Sequence, residues 1–141
     1  MQPVMTVAEI DAFLDSDFPQ IHTDGRVFTV LAVRPGSIDM SLLPNERHLR
    51  PGGTISGPTM FTLADVSAYV AVLAHIGPVA LAVTTNLTIN FLRRPEPETL
   101  TCRATILKLG KRLAVVEALL FQGPDEEAVA HAVATYSIPP R

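Results

Sequence analysis

The longest apolar segment of the chain lies near its middle, from Ser56 to His75, and a Gly77-Pro78 pair ends it. A helix on a protein surface has one apolar and one polar face, whereas this segment is apolar on nearly all sides. The pattern therefore predicts a long helix over about residues 58–76 that is buried on most of its faces. A single carboxylate, Asp65, interrupts it. Because an unpaired charge is costly to bury, this residue needs a partner or a function.

The other elements follow from shorter patterns. Thr6 and Glu9 form a capping-box pattern ahead of apolar residues spaced three and four apart, which predicts a short helix over about residues 7–14. Runs of β-forming residues bounded by turn residues predict six strands, at about 26–33, 37–42, 79–91, 99–109, 113–121 and 128–138. The order of elements predicts one α+β domain over residues 1–141, with an antiparallel sheet curled around the long helix.

Composition narrows the class of protein. The chain has 141 residues, a net charge of -3 and a single cysteine. A mildly acidic chain is not expected to bind nucleic acid or an anionic membrane surface. One cysteine excludes an internal disulfide and fits a reducing compartment. The central apolar segment is long enough for a membrane span, but the carboxylate and hydroxyl groups within it argue against one. With no signal-peptide pattern near Met1, we expect a cytoplasmic protein.

A search for catalytic motifs leaves Asp65 as the most distinctive ionisable group. The sequence contains no nucleophile elbow, phosphate loop, dinucleotide fingerprint or histidine pair at metal-ligand spacing. Cys102 lies in an apolar strand and is expected to be an inert core thiol. Thr62 and Tyr69 lie three residues before and four after Asp65, on the same helical stripe, where they could hydrogen-bond it. Asp65 is therefore either a catalytic carboxylate or a structural acid satisfied by Thr62 or by a backbone group.

Three segments of the chain resemble acyl-CoA thioesterases of the hotdog fold, within them the phenylacetate-pathway, PaaI-like branch. The similar segments are the start of the family's central helix, its N-F-L-R-P strand end and its Gly-Arg hairpin, found here at Arg50–Asp65, Asn90–Pro95 and Leu109–Glu117. Gly57 and Asp65 fall at the family's spacing. The resemblance covers about residues 26–136, nearly the whole chain.

The resemblance implies a hotdog fold, in which an antiparallel sheet wraps around the long helix. It also implies a homodimer or homotetramer with active sites at the subunit interfaces, and no metal or redox cofactor. It places the catalytic carboxylate at Asp65, as nucleophile or as base for the attacking water, and the oxyanion donor at the backbone N–H of Gly57. Elementary chemistry agrees, because a helix N-terminus offers unpaired N–H groups to a developing oxyanion.

Further residues are candidates for contacts with the substrate. Four basic residues close a strand and a hairpin, where they could hold the phosphates of coenzyme A, although such positions also carry charge for solubility: Arg93, Arg94, Lys111 and Arg112. Hydroxyl and amide groups are the candidates around the carboxylate, the last three of them from a partner chain: Ser56, Thr62, Thr84, Thr85 and Asn86.

The chain departs from the family pattern at three positions, with Arg50 in place of Asn, Ser56 in place of His and Pro58 in place of the second Gly. Proline fits the first helical turn but removes one N–H donor. The function that we expect is the hydrolysis of an acyl-CoA to a carboxylate and coenzyme A. Because the His and Asn are missing, the first alternative is a non-catalytic acyl-CoA-binding protein. A hydratase or dehydratase of the same fold and a purely structural oligomer are further alternatives.

Overall fold

The central apolar segment forms one helix, α2 (Gly57–Ile76), in a computed structural model that describes residues 1–141. Ser56 caps the helix by accepting a hydrogen bond from the backbone N–H of Thr59 at 3.3 Å, and Gly77, with a φ of 99°, ends it. By length and composition α2 could span a membrane, but 72% of its most apolar window is buried within the fold. The apolar surface of α2 is thus the core of the protein.

A shorter helix, α1 (Val7–Asp17), packs on the outside of the core against α2 and the first strand. The predicted capping box is present, because Thr6 and Glu9 exchange backbone and side-chain hydrogen bonds of 3.0 and 3.1 Å. The helix runs three residues past its predicted end and stops before Pro19, since the residue before a proline avoids the helical conformation. A 3-10 turn (Pro19–His22) then leads to the sheet.

Six strands form one antiparallel sheet around α2. They are β1 (Phe28–Arg34), β2 (Ser37–Leu42), β3 (Val83–Phe91), β4 (Leu100–Leu109), β5 (Leu113–Gln122) and β6 (Glu127–Ser137). Their order across the sheet is β1-β2-β4-β5-β6-β3, so the chain crosses along α2 from β2 to the opposite edge. The predicted fold class, an antiparallel sheet wrapped around one long central helix, is confirmed.

The first and third strands start later than the sequence pattern indicates. Residues 79–82 belong to a turn instead of a strand, closed by a 3.1 Å hydrogen bond from the N–H of Ala82 to the carbonyl of Val79. The hydroxyl of Tyr69 holds the same turn through the carbonyl of Ala80, at 3.0 Å. The chain uses this turn to leave the end of α2 and reach the edge of the sheet, which the β-forming residues alone do not reveal.

Strand β3 is an edge strand with little cover. Three of its nine residues are half-buried against α2, and the other six are exposed. Large apolar side chains lie exposed along it and just beyond its ends, at Leu81, Val83, Phe91 and Leu92. Exposed apolar edges of this kind are normally covered by another element or another chain.

An ion-pair network crosses the outer face of the sheet at Asp39. Its carboxylate accepts hydrogen bonds from Arg34 at 2.7 Å and Arg103 at 3.0 Å, and Arg103 also reaches Glu126 at 3.1 Å. Burial alone would raise the pKa of Asp39, but the hydrogen bonds from the two arginines outweigh it and the pKa is lowered. The charged form of Asp39 therefore stabilises the folded state.

We expect Asp39→Asn to lower the free energy of unfolding at pH 7 by about 1–3 kcal/mol. Because the pKa is lower in the folded state, this contribution is present above the unfolded value of about 3.9 and is lost as the pH falls through the folded value. Urea unfolding of both proteins from pH 7 downward measures it. Asp125→Asn, in an exposed turn, is the control. A difference that stays constant down to the lowest pH would contradict the assignment.

Candidate active site

Asp65 lies in the third turn of α2 and is held by two strands of its own chain. Tyr136 donates a hydrogen bond to its Oδ1 at 2.6 Å, and Thr84 donates to the same oxygen at 2.5 Å. Thr84 and Tyr136 are register partners across β3 and β6, so a single cross-strand pair supplies both donors. Asp65 Oδ2 makes no hydrogen bond within the chain. The carboxylate is thus fixed through one oxygen, and the other is available.

Tyr136 was not among the residues that the sequence pointed to. Its ring is buried and lies 6.2 Å from that of Tyr69, and its hydroxyl is also 2.8 Å from the main-chain oxygen of Asp65. Burial raises the pKa of Tyr136, and the Asp65 carboxylate raises it further, so the phenol stays protonated and donates. A signal was available in β6, where the alternation that buries three alanines also points Tyr136 inward.

The prediction that Thr62 and Tyr69 hydrogen-bond Asp65 is wrong. The hydroxyl of Thr62 donates to the carbonyl of Pro58 at 3.0 Å, one turn back in the same helix, as hydroxyl residues within helices often do. The hydroxyl of Tyr69 is engaged at the turn that follows α2. Thr84, expected from a partner chain, reaches Asp65 from the same chain. Thr62 still lines a cavity with Asp65, so its contact with substrate stays a prediction.

The other two candidates on β3 do not contact Asp65. Thr85 is the extra residue of a β-bulge in the pairing of β3 with β6, and its hydroxyl donates to the carbonyl of Thr135 at 3.2 Å. Asn86 is exposed on the edge strand, and its side-chain oxygen accepts a hydrogen bond from Thr88 at 3.5 Å. Bulges often re-aim side chains near functional sites, so the contacts of both residues with substrate stay predictions.

Gly57 carries the one free backbone donor in the first turn of α2. The N–H of Thr59 bonds the side chain of Ser56, that of Met60 bonds the carbonyl of Ser56, and Pro58 has none. A Cβ on Gly57 would lie 3.3 Å from the ring of Phe91, so only glycine fits there without displacing the ring. Ser56 itself is occupied as the helix cap, and its contact with substrate stays a prediction.

Gly57 and Asp65 lie apart on α2 and line different cavities of one chain. Eight residues of helix separate them, which is about 12 Å along the axis. Gly57 opens on a cavity of about 510 Å³ at the end of β3, whereas Asp65 opens on two others. A reacting carbon must lie about 3 Å from both its nucleophile and its oxyanion donor. One chain therefore cannot present both groups to the same thioester.

Two cavities meet at Asp65, and Phe18 and Val66 line both of them. The larger, of about 450 Å³, lies between the N-terminal segment, the first two strands and the first turns of α2. The smaller, of about 330 Å³, is mostly apolar and reaches the turn after α2. The carboxylate thus borders two cavities, both of which are open to solvent.

The four basic residues predicted to hold phosphates form two groups at opposite ends of β6. Arg93 donates to the carbonyl of Ala128 at 3.0 Å and pairs with Glu127 at 2.7 Å, and Arg94 follows it. Lys111 and Arg112 lie in the β4–β5 hairpin, where the carbonyl of Arg112 accepts a hydrogen bond of 2.9 Å from Ile138, just beyond the other end of β6. A strand of this length spans about 33 Å, so one chain does not bring both groups to one phosphate.

Cys102 behaves as the sequence indicates. It is fully buried, and burial raises the pKa of its thiol to about 12. At neutral pH the sulfur therefore keeps its proton and does not act as a nucleophile. Cys102 is therefore no candidate nucleophile, and the reactive role of Asp65 stays a prediction.

The wrapped helix and its half-buried carboxylate are those of a hotdog protein of the thioesterase type. Residues 52–129 match the sequence profile of the thioesterase superfamily, and the chain belongs to that family. The predicted resemblance to hotdog thioesterases of the PaaI-like branch is thereby confirmed.

Individual relatives agree with this assignment. A provisionally named thioesterase from Silicibacter sp. TM1040 is 50% identical, with a TM-score of 0.89 over 99% of this chain and 96% of that one. A phenylacetic acid degradation-related protein from Ralstonia eutropha JMP134, also provisionally named a thioesterase, is 25% identical, with a TM-score of 0.79 over 92% and 98% of the two chains. A provisionally named esterase of Saccharolobus solfataricus is 25% identical over 96% of this chain and 87% of its own length.

Proposed function

We propose that this protein hydrolyses an acyl-CoA thioester to a free acid and coenzyme A. The observation that carries the proposal is the Asp65 carboxylate, which is anchored through Oδ1 and leaves Oδ2 open to two cavities. A carboxylate held in this way is suited to take a proton from an attacking water or to attack a carbonyl carbon itself. In either case Oδ2 is the reacting oxygen.

As a base, Asp65 takes one proton from water while the water oxygen bonds to the thioester carbon. The carbonyl oxygen becomes an oxyanion, which the free N–H of Gly57 stabilises at the positive end of the helix dipole. Collapse of the tetrahedral intermediate breaks the carbon–sulfur bond and releases the coenzyme A thiolate, which takes the proton back from Asp65 and so restores the carboxylate. The products are the free acid and coenzyme A.

We further propose that two copies of the chain pair antiparallel through the β3 edge to complete each site. Asp65 bonds Thr84 at the start of β3, and Gly57 packs under Phe91 at its end. Antiparallel pairing places the start of one β3 beside the end of the other, so Asp65 of one copy faces Gly57 of the second. The exposed apolar side chains along β3 support this pairing. Light scattering on the purified protein should give a dimer or a tetramer, and a monomer would contradict it.

The function is tested by measuring free thiol release from a panel of aliphatic and aryl acyl-CoAs. Turnover of at least one thioester is the expected result. A second candidate function, binding of acyl-CoA without hydrolysis, is favoured by Arg50 and Ser56, which replace the family's Asn and His. Tight binding across the panel with no thiol release would establish that function and remove the first.

We expect Arg94→Ala and Arg112→Ala each to raise KM for coenzyme A esters by roughly tenfold. Arg94 forms no ion pair within the chain, so its guanidinium is free for a phosphate. Antiparallel pairing of β3 brings Arg94 of one copy toward Arg112 of the other. Thioesters that lack the nucleotide should keep their KM in both variants. The control, Arg26→Ala, removes an exposed cation paired with Asp15. An equal rise in KM for both kinds of thioester would exclude the phosphate contacts.

A further inference from the structure

Two arginines without a partner in the chain lie at the cavity that Gly57 opens on. Both Arg50 and Arg94 line it, and the side chain of neither forms an ion pair or a hydrogen bond within the chain. Most other arginines of the chain pair with a carboxylate, namely Arg26, Arg34, Arg47, Arg93 and Arg103. Because like charges repel, two unpaired guanidinium groups at one cavity of an acidic chain point to an anion that binds between them.

The same two arginines also line a small polar cavity, of about 160 Å³, together with Pro51, Gly52 and Thr54. No carboxylate lines this small cavity or the cavity of Gly57. The small cavity has room for a carboxylate or a phosphate group, and guanidinium groups bind both of these through paired hydrogen bonds. Because Arg50 and Arg94 border both cavities, an anion held between them lies next to the cavity of Gly57.

The loop that carries Arg50 adds hydrogen-bond donors to the small cavity. The N–H of Arg50 donates to the carbonyl of Thr54 at 2.9 Å, and the N–H of Gly53 donates to the carbonyl of Arg50 at 3.0 Å. Gly52 and Gly53, with φ values of 99° and 77°, allow this tight turn. The turn occupies two carbonyls, whereas the N–H groups of Gly52 and Thr54 donate to nothing within the chain. Unpaired donors and positive charge are the chemistry of an anion site.

We propose that Arg50 and Arg94 form one anion site, which binds an anionic group of the substrate in the small cavity. The choice of ligand rests on the proposed function, because it takes the substrate to be an acyl-CoA. Such a molecule offers two sources of the same chemistry, a phosphate of coenzyme A and a carboxylate at the end of the acyl group. Arg50 stands where the family pattern has Asn, so this departure adds a binding cation beside the cavity of Gly57.

The test uses four non-hydrolysable S-alkyl thioethers, built on coenzyme A or on pantetheine, which lacks the nucleotide, and ending in a carboxylate or in a methyl group. Calorimetry at constant ionic strength measures how much affinity is lost when the ligand lacks one anion. For one of the two anions this loss should be at least roughly tenfold larger in the wild type than in Arg50→Ala. A difference confined to the carboxylate identifies the acyl group as the source, and one confined to the nucleotide identifies a phosphate.

Arg94→Ala should reduce the loss for the same anion as Arg50→Ala does, whereas the control, Arg26→Ala, should leave both losses as they are in the wild type. Both Arg50 and Arg94 are exposed, so each variant should fold. Equal losses in the wild type and Arg50→Ala would overturn the inference, and so would an effect of Arg50 and Arg94 on different anions or the absence of any thioether binding. These affinities do not depend on turnover. Failure to hydrolyse any acyl-CoA would remove the proposed function, whereas a loss that depends on Arg50 would still identify the anion site.

Discussion

Replacing Asp65 by asparagine is expected to lower kcat for thioester hydrolysis by about 10²–10⁴-fold and to leave the protein folded. Asparagine has the shape of aspartate, and its Oδ1 can still accept the hydrogen bonds from Thr84 and Tyr136. Its amide nitrogen then occupies the position of Oδ2, where it can neither take a proton from water nor attack a carbon. Thiol release at saturating acyl-CoA measures the effect, and thermal unfolding shows whether the fold is intact.

The matched control for this substitution is Asp17→Asn. Asp17 lines the smaller cavity together with Asp65, but it is exposed at the end of α1, where Ser16 donates to its carboxylate. Loss of its charge should leave kcat unchanged. A folded Asp65→Asn protein that hydrolyses as fast as the wild type would show that Asp65 is a structural acid, and catalysis would then have to be sought elsewhere.

Tyr136→Phe is expected to lower kcat by roughly 10–100-fold with little change in KM. The substitution removes the 2.6 Å hydrogen bond to Asp65 Oδ1 and the contact of the phenol with the main-chain oxygen of Asp65. The phenylalanine ring keeps the packing against Tyr69. Thr84 alone then holds the carboxylate, which is free to rotate away from the geometry needed for reaction. Separate measurement of kcat and KM distinguishes this positioning role from a contribution to binding.

Tyr69→Phe is the matched control, because Tyr69 lines the same smaller cavity and lies against the ring of Tyr136. Its hydroxyl bonds the carbonyl of Ala80 and does not reach Asp65. Its loss should cost about 1 kcal/mol of folding stability and leave kcat unchanged. If Tyr69→Phe lowers kcat as much as Tyr136→Phe does, the effect comes from the turn after α2 and the positioning role of Tyr136 is wrong.

Much of the fold could be predicted because its signals are local. A segment that is apolar on all sides indicates a buried helix, and the residues that begin and end it, Ser56 and Gly77, lie next to it in the sequence. The capping box of Thr6 and Glu9 is equally local. The order of the strands in the sheet could not be predicted from local signals. Strand β3 lies beside β6 at the far edge of the sheet and not beside β2, which precedes it in the chain.

The candidate site shows the same contrast between local signals, which the sequence displays, and contacts between distant segments, which it does not. Helical spacing pointed to Thr62 and Tyr69 as partners of Asp65, because residues three or four apart share a stripe. The partners are instead Thr84 and Tyr136, which lie 19 and 71 residues further along the chain. Their meeting depends on the register of β3 against β6, and that register is a property of the assembled sheet.

By itself the sequence determined that a buried helix carries one carboxylate at Asp65, that Gly57 begins this helix, and that the fold is an antiparallel sheet around it. Only the tertiary structure decided that Thr84 and Tyr136 hold one oxygen of Asp65, that the other oxygen is free, and that two cavities open beside the carboxylate. The physical reason is that periodicity and capping act within one or two helical turns, whereas hydrogen-bond partners and cavities arise from strand order and register between distant segments.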